Sequence, residues 1–438
     1  MTNLSKTLSI LIPMYNEEGT IEDTIQELIQ RGFHERYEIV VCDDDSTDGS
    51  ATKVQDIANT HESISLIAHK PNGNKIGAIS TGMSHIKTRY VLLLDADATV
   101  LELTKGYLDN LVLQMHDQDI TAIGFKIQAQ ATNIFESFQA LEYTLSTDGL
   151  RWLLGTTGCL SGVANLWRVD RLETILARHS GIFEGDDLEI TMLATLFNFD
   201  VAFETREVIA TTNPKRNIGE LFRQRMNIWD IGLIQVFFST HWFLKQRGQN
   251  GAFFNAIFIT EILAHPFKIL SIIGIFLTFF LTAINSLDIM PKWRLLFQLN
   301  DSILSILQST SWIYLLLWLF TVLSIFQALL PHPHTILNGL RLVLYFTFYM
   351  ATPLIPLIST SFGQMIGATY LWWYSLCAVL ILISTETWET KLRSLLLSFL
   401  MPFYFAVLFV FPRTLGFIKY IVGRVQGKYT RQPIIFHA

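Results

Sequence analysis

The chain has 438 residues, half of them apolar and only 16% charged, with a mean hydropathy of +0.35. Those figures exclude a disordered, collagenous or disulfide-framework protein, and Cys42, Cys159 and Cys377 are too far apart for a CxxC zinc site. The formal net charge of −6 is unevenly held: residues 251–438 carry eleven basic and five acidic side chains, leaving 21 basic and 33 acidic in the first 250. An acidic, polar front and an apolar, slightly basic rear predict a soluble head on a membrane base, and an acidic head gives no footing for nucleic acid.

Met1–Ile10 holds one lysine and no long apolar run, so no signal peptide is expected. From there, apolar runs bounded by turn residues alternate with helix-period segments. Thr7–Pro13 predicts a strand, Glu18–Gln30 a helix and Tyr37–Cys42 a strand. Asp48–Asn59 predicts a helix, Ile64–His69 a strand, Gly77–Ile86 a helix and Tyr90–Leu94 a strand. This alternation predicts an α/β domain on a mainly parallel sheet covered on both faces.

Ligands of such sheets bind beyond the carboxyl ends of the strands. The residues expected there are Tyr15-Asn16-Glu17-Glu18, Asp43-Asp44-Asp45 and Asp95-Ala96-Asp97. Carboxylates gathered at one edge repel one another, so an oxygen-liganded divalent cation bridging a diphosphate is the economical companion. Asp95 and Asp97, with small Ala96 between them, are spaced to reach one metal centre. Each motif alone also fits a solvated or capped turn, with Ser46 or Asp48 capping the next helix. Their joint occurrence after strands of one sheet favours a site. Further on, Asp186 and Asp187 open a predicted helix in which Leu188, Ile190 and Leu193 can bury, a placement the helix dipole also favours. GNKIGAISTG (73–82) does not match the spacing of an ATP-binding Walker loop.

The head is expected to end near residue 230. Residues 231–250, with His241 and Trp242 in a short apolar run, predict an interfacial helix or linker. In 251–438, the runs Ile269–Ile284, Ile303–Leu330, Leu340–Ser359 and Gly367–Ile383 each approach the roughly 20 apolar residues that a span requires. A fifth, Leu395–Phe411, contains Pro402. Lys245 and Arg247 on one side, and Arg413, Lys419, Arg424, Lys428 and Arg431 on the other, put both ends in the cytoplasm. An even number of spans follows, with Leu395–Phe411 expected to be interfacial or re-entrant. Glu261, His265 and Lys268 share a helical face that fits either a polar passage or an interfacial half-helix. Trp372, Trp373 and Tyr374 are expected as an interface belt.

Segments spread from Ile10 to Trp229 resemble, in order, the family 2 glycosyltransferases of the membrane-bound group that includes hyaluronan, chitin, cellulose and poly-N-acetylglucosamine synthases. They are IPMYNEEGTI (12–21), VCDDDSTDGS (41–50), NKIGAISTGM (74–83), YVLLLDADATV (90–100), FQALEYTLS (138–146), CLSGVANLWR (159–168), EGDDLEIT (184–191) and RQRMNIWD (223–230). Asp45 stands where the family usually has glycine, and 185–187 is its Gly-Asp-Asp variant. The resemblance implies a GT-A head over residues 1–230 and a helical transmembrane region with a basic cytosolic tail at the plasma (inner) membrane.

The resemblance also implies roles. Tyr15, Glu17 and Asp44, with Asp43, would hold a uridine-type nucleotide. Lys75 and Asp95 would reach its ribose–diphosphate, and Asp97, with Asp95, would ligate Mg²⁺ or Mn²⁺. Asp187 would be the general base with Asp186 beside it, in an inverting transfer. Gln224, Arg225 and Trp229 would meet the diphosphate and the acceptor sugar, but the family's QxxRW is altered. Asn227 and Ile228 occupy the Arg-Trp places, and Trp229 is one residue late, about 100° around a helix. The implied function is extension of a β-linked polysaccharide from a nucleotide sugar, with export left open. The alternative is a single transfer to a lipid acceptor, a polyprenyl phosphate or ceramide. A silent nucleotide-sugar-binding scaffold is disfavoured because the metal and base carboxylates are all present. Oligomeric state is not legible.

Overall fold

The structure is a computed structural model that describes residues 7–70, 74–100, 104–145, 159–181, 185–227, 362–384, 386–404 and 411–428, with a few single positions between 302 and 408. The chain divides into two compact units: 1–220 with 227–242 and 416–438, and 221–226 with 243–415.

In the first unit, β1 (Leu8–Met14) is buried along its whole length, as expected of a strand covered on both faces. Helix α1 (Ile21–Gln30) buries Ile21, Ile25 and Leu28 at helical spacing and keeps Glu22 and Asp23 in its first turn. It starts later than predicted because Glu17–Thr20 forms a turn, in which Glu17 O accepts the Thr20 and Ile21 amides. Then follow β2 (Glu38–Asp43), α2 (Ser50–Ala58), β3 (Ile64–Ala68), α3 (Asn74–Met83), β4 (Tyr90–Leu94) and the short β5 (Thr99–Val100). Every strand and helix predicted up to residue 94 is present, with ends moved by a few residues. Beyond it come α4 (Lys105–Asp117), β6 (Ala122–Ala129), α5 (Ile134–Tyr143), β7 (Ala164–Arg168), α6 (Val169–Leu176), α7 (Asp186–Leu196) and β8 (Val201–Thr212), and then α8 (Ile218–Asn227), whose residues 221–226 are counted with the second unit.

The strands form one sheet in the order β3-β2-β1-β4-β7-β6-β8-β5. Its first four strands are parallel, as the alternation predicts. The rest is mixed: β7 runs antiparallel to both β4 and β6, and β5 antiparallel to β8, while β6 and β8 are parallel. The mainly parallel expectation therefore holds for half the sheet only. The reason lies at Asp95, whose amide bonds Val163 O at 2.9 Å. The chain enters β7 at the edge where β4 leaves, so β7 must run back along it. Ile10, Ile12, Ile39, Val41, Leu92, Leu94, Phe125 and Leu166 are all within 2% of complete burial and form the centre of the core.

The described part of the second unit includes α9 (Phe362–Ile383), α10 (Trp388–Ser398) and α11 (Met401–Tyr404); a further helix, α12, spans Phe411–Val425. Among the described residues no helix is long and apolar enough to cross a membrane. The Gly367–Ile383 run is helical, but its first half carries Thr369, Tyr370, Trp372, Trp373, Tyr374 and Ser375. The run Leu395–Phe411 is no single helix, because α10 ends at Ser398 and α11 begins only at Met401. The expected aromatic belt is partly internal. The rings of Tyr370 and Tyr374 lie 5.4 and 6.1 Å from Phe399, and Trp372 packs against Leu304, Ile355 and Met365. The expected spans at 269–284 and nearly all of 303–330 and 340–359 lie outside the described residues, as do 231–250, Glu261, His265 and Lys268.

Candidate active site

Because β2, β1 and β4 are adjacent and parallel, the loops that leave them share one edge of the sheet. Neighbouring strands lie about 4.8 Å apart, so these three loops cover roughly 10 Å. At β2, Asp43 and Asp44 are buried, at 5% and 2% exposure. Asp43 Oδ1 accepts the Ser46 amide at 3.2 Å, and Asp44 Oδ1 stands 3.9 Å from His69 Nε2. The other ring nitrogen of His69 is 2.6 Å from Thr81 Oγ1 on α3. Asp45 has a φ of +64°, which accounts for the glycine usual in its place; aspartate is among the few other residues that tolerate this region. Asp48, not Ser46, serves the start of α2, its Oδ1 accepting the Ser50 amide at 3.0 Å. Ser46 Oγ instead receives the Asn16 amide at 3.0 Å, and so ties the β1 and β2 loops together.

After β1, Tyr15 is 49% exposed at the edge. Glu17 accepts the Thr20 hydroxyl at 2.8 Å, and its amide donates to Ser50 Oγ at 2.8 Å. Burial pushes the Glu17 carboxyl above its ordinary range; the Thr20 bond works against this, and the negative charges of Asp97 and Asp95 add to it. Glu17, Asp95 and Asp97 are thus close enough to interact electrostatically.

An acidic cluster gathers on Lys75, near the start of α3. Its Nζ is 2.6 Å from Asp95 Oδ1 and 4.0 Å from Asp186 Oδ2. Burial opposes the lysine's charge, but Asp95, Asp186 and Asp187 together push its pKa above the ordinary value. Asp95 is itself raised, burial outweighing the lysine. Burial and neighbouring Asp187 push Asp186 up to about 6 against the pull of Lys75.

Asp187 opens α7 beside Gly185, whose φ of +78° suits glycine. Its Oδ1 accepts the Leu188 amide at 2.8 Å and its Oδ2 the Gly162 amide at 3.3 Å. A Cβ at Gly162 would stand 3.1 Å from Lys75 Nζ and 3.6 Å from Asp187 Oδ2, so a side chain there would press on the lysine's ammonium end. Lys75, Asp95, Asp186 and Asp187 line one cleft with Pro13, Leu160, Asn165 and Trp167. Asp44 and Asp97 are not in that lining.

Among the described residues, no three His, Cys, Asp or Glu side chains gather closely enough to hold a metal ion alone. The donor set that remains, Asp97 with Asp95, suits Mg²⁺ or Mn²⁺ completed by diphosphate oxygens, since such ions commonly take only one or two protein carboxylates. Leu188 is only half-buried on α7, whereas Ile190 and Leu193 are buried as expected. Gln224 and Arg225 lie on α8 within the second unit, with Arg225 buried, and Trp229 lies outside the described residues. His69, Thr81, Gly162, Asn165 and Thr191 carried no individual signal in the sequence, although the last four fall in stretches that resembled the family.

The mixed α/β sheet with acidic loops at one edge defines a GT-A-like, nucleotide-sugar-type fold. Residues 9–176 match the model of Glycosyl transferase family 2, and the chain accordingly carries a glycosyltransferase domain of that family. Among curated proteins it is similar to a poly-β-1,6-N-acetyl-D-glucosamine synthase of Staphylococcus epidermidis, 24% identical over 242 residues, which are 54% of this chain and 56% of that protein. A Staphylococcus aureus protein of the same description is 25% identical over 246 residues, 53% of this chain and 57% of that one. The chain thus spans about half the length of the curated relatives it matches. Among solved structures, S. aureus TarS overlaps with a TM-score of 0.41 at 15% identity, over 58% of this chain and 43% of that one. A Pyrobaculum calidifontis mannosyltransferase, solved with GDP-Man and Mn²⁺, gives 0.41 at 20%, over 52% and 64%.

Proposed function

We propose that this protein is an inverting glycosyltransferase that extends a β-linked glycan from a nucleotide sugar at a membrane. The observation that carries the reading is the single cleft in which Lys75 stands between Asp95 and Asp186, with Asp187 beside them. A nucleoside diphosphate spans about the width of the three loops. Its base would lie toward Tyr15, Asp43 and Asp44, and its diphosphate toward Asp95, Asp97 and Lys75. Asp97 and Asp95 would hold Mg²⁺ or Mn²⁺, which when bound neutralises charge on the leaving diphosphate. Lys75 adds a second positive charge on that side. Asp187 takes the proton of the attacking hydroxyl; the two amides on its oxygens hold the carboxylate in orientation and leave lone pairs to accept it. With Asp187 activating the acceptor hydroxyl directly, transfer is a single displacement: the hydroxyl oxygen bonds to the anomeric carbon as the diphosphate leaves, with inversion there.

Membrane attachment is supported by the apolar rear and by α10, where Trp388, Leu392 and Leu396 form an exposed stripe at helical spacing. The curated relatives make UDP-N-acetylglucosamine the first donor to try. The test is incubation of membranes containing the protein with radiolabelled UDP- and GDP-sugars, followed by sizing of the product. A high-mass, glycosidase-sensitive polymer is expected. An organic-extractable product would replace this reading with a single transfer to a lipid, and no transfer from any donor would overturn both.

A further inference from the structure

Glu189 lies two residues beyond Asp187 on α7 and is completely buried, at 0% exposure, as are His179 and Ser180. Ser180 donates to it twice, its amide to Oε1 at 2.7 Å and its hydroxyl to Oε2 at 2.6 Å. His179 Nε2 stands 3.5 Å from the same Oε2. The Gly181 amide donates to His179 Nδ1 at 3.1 Å, which makes Nδ1 an acceptor and leaves the ring proton on Nε2, facing the carboxylate. Two directed donors, both from Ser180, hold the carboxylate, and the His179 ring packs beside it. Burying a carboxylate costs several kcal/mol unless it is so satisfied, and an apolar side chain fills the same space without that cost.

What the carboxylate does is tie the first turn of α7 to the segment that precedes it. Two residues on a helix are about 200° apart, so Thr191 faces the other way. There Thr191 Oγ1 accepts the Leu160 amide at 2.9 Å and donates to Asp187 O at 2.8 Å, alongside the Gly162 amide on Asp187 Oδ2. The turn that carries Asp186 and Asp187 is gripped on both sides. We propose that Glu189 is a positioning residue: through Ser180 it pins that turn so that the Asp187 carboxylate stays aimed into the cleft. The inference rests on Asp187 as base.

The test uses the full chain in membranes, with Glu189→Gln, Glu189→Asp and Ser180→Ala, each alone and with Asp187→Asn. Glu189→Gln is expected to lower kcat about 10- to 100-fold, the scale of a misplaced catalytic group, and Ser180→Ala by a smaller factor. KM for the donor and affinity for UDP should stay within about two-fold of wild type. Glu189→Asp should recover part of the loss. Because the effect runs through Asp187, Glu189→Gln should lose nothing further in the Asp187→Asn background. Wild-type kcat in folded Glu189→Gln overturns the inference, and so does a loss that only tracks the folded fraction. Should Glu189→Gln fail to fold, Ser180→Ala decides, by the same kcat-against-KM split. Retained turnover in Asp187→Asn sinks the reading beneath; full turnover in Glu189→Gln with Asp187→Asn inactive sinks this inference alone.

Discussion

The acidic side chains of the cleft work against the stability of the fold that holds them. Asp186 is raised to about 6 in the folded protein, mainly by burial, whereas it titrates near 4 in an unfolded chain. Between those values the folded state binds more protons than the unfolded one, so stability falls as pH rises from about 4 to about 6 and stays lower above it. Asp186→Asn is expected to remove that slope and to raise stability at pH 7.5 by on the order of 2 kcal/mol, read from thermal melts between pH 4.5 and 7.5. An unchanged slope would mean that Asp186 is not the buried acid described here. Lys75→Met works in the opposite direction, leaving Asp95 and Asp186 without their cation. It should destabilise the protein by about 1–2 kcal/mol, between the scales of an exposed and a fully buried pair, and lower transfer as well. Asp187→Asn should cost about 10²–10⁴ in kcat while UDP still binds; turnover near wild type would remove Asp187 from the base role. At this scale the sequence was readable where a residue type is rare in its setting, as with the acids after β2 and β4. It was silent on His69 and Glu189, because a lone histidine or a glutamate in a helix's first turn announces nothing until its burial is known.

At the scale of elements, α7 begins through a glycine held at φ +78°. Gly185→Ala should cost about 1–2 kcal/mol in backbone strain and displace the turn that carries Asp186 and Asp187, lowering kcat more than the donor KM. Equal activity with an unchanged melting temperature would show that the turn accommodates a side chain. In α10, capped by Thr387, an exposed row of Trp388, Leu392 and Leu396 lies on a helix too short to cross a bilayer. A nitroxide at Leu396→Cys is expected to be relaxed by oxygen far more than by a water-soluble nickel chelate, as befits a side chain in the acyl–headgroup boundary. The reverse ratio would place this face in water. The stretch Leu395–Phe411 was legible as interfacial or re-entrant from the even number of spans that the basic ends require, but the break at Phe399–Leu400, where Tyr370 and Tyr374 pack on Phe399, is seen only in the tertiary structure.

Over the whole molecule, the carboxylates of the edge outnumber the nearby lysine, and the proposed ion would restore the balance. Chelation by EDTA should stop transfer and added Mg²⁺ or Mn²⁺ restore it; metal-independent transfer would contradict the role given to Asp97. By itself the sequence determined the acidic head and apolar rear, the strand–helix alternation up to Leu94 and the acids at the strand ends. Those features are written in composition, in periods of two and 3.6 residues and in local turn chemistry, which need no knowledge of distant partners. Only the tertiary structure decided that β7 inserts antiparallel beside β4, that Lys75 meets an aspartate 20 positions away, and that Gly162 reaches Asp187 across 25. Such meetings depend on the order in which strands are laid into the sheet. No local pattern encodes that order, because it is settled by which buried surfaces fit together.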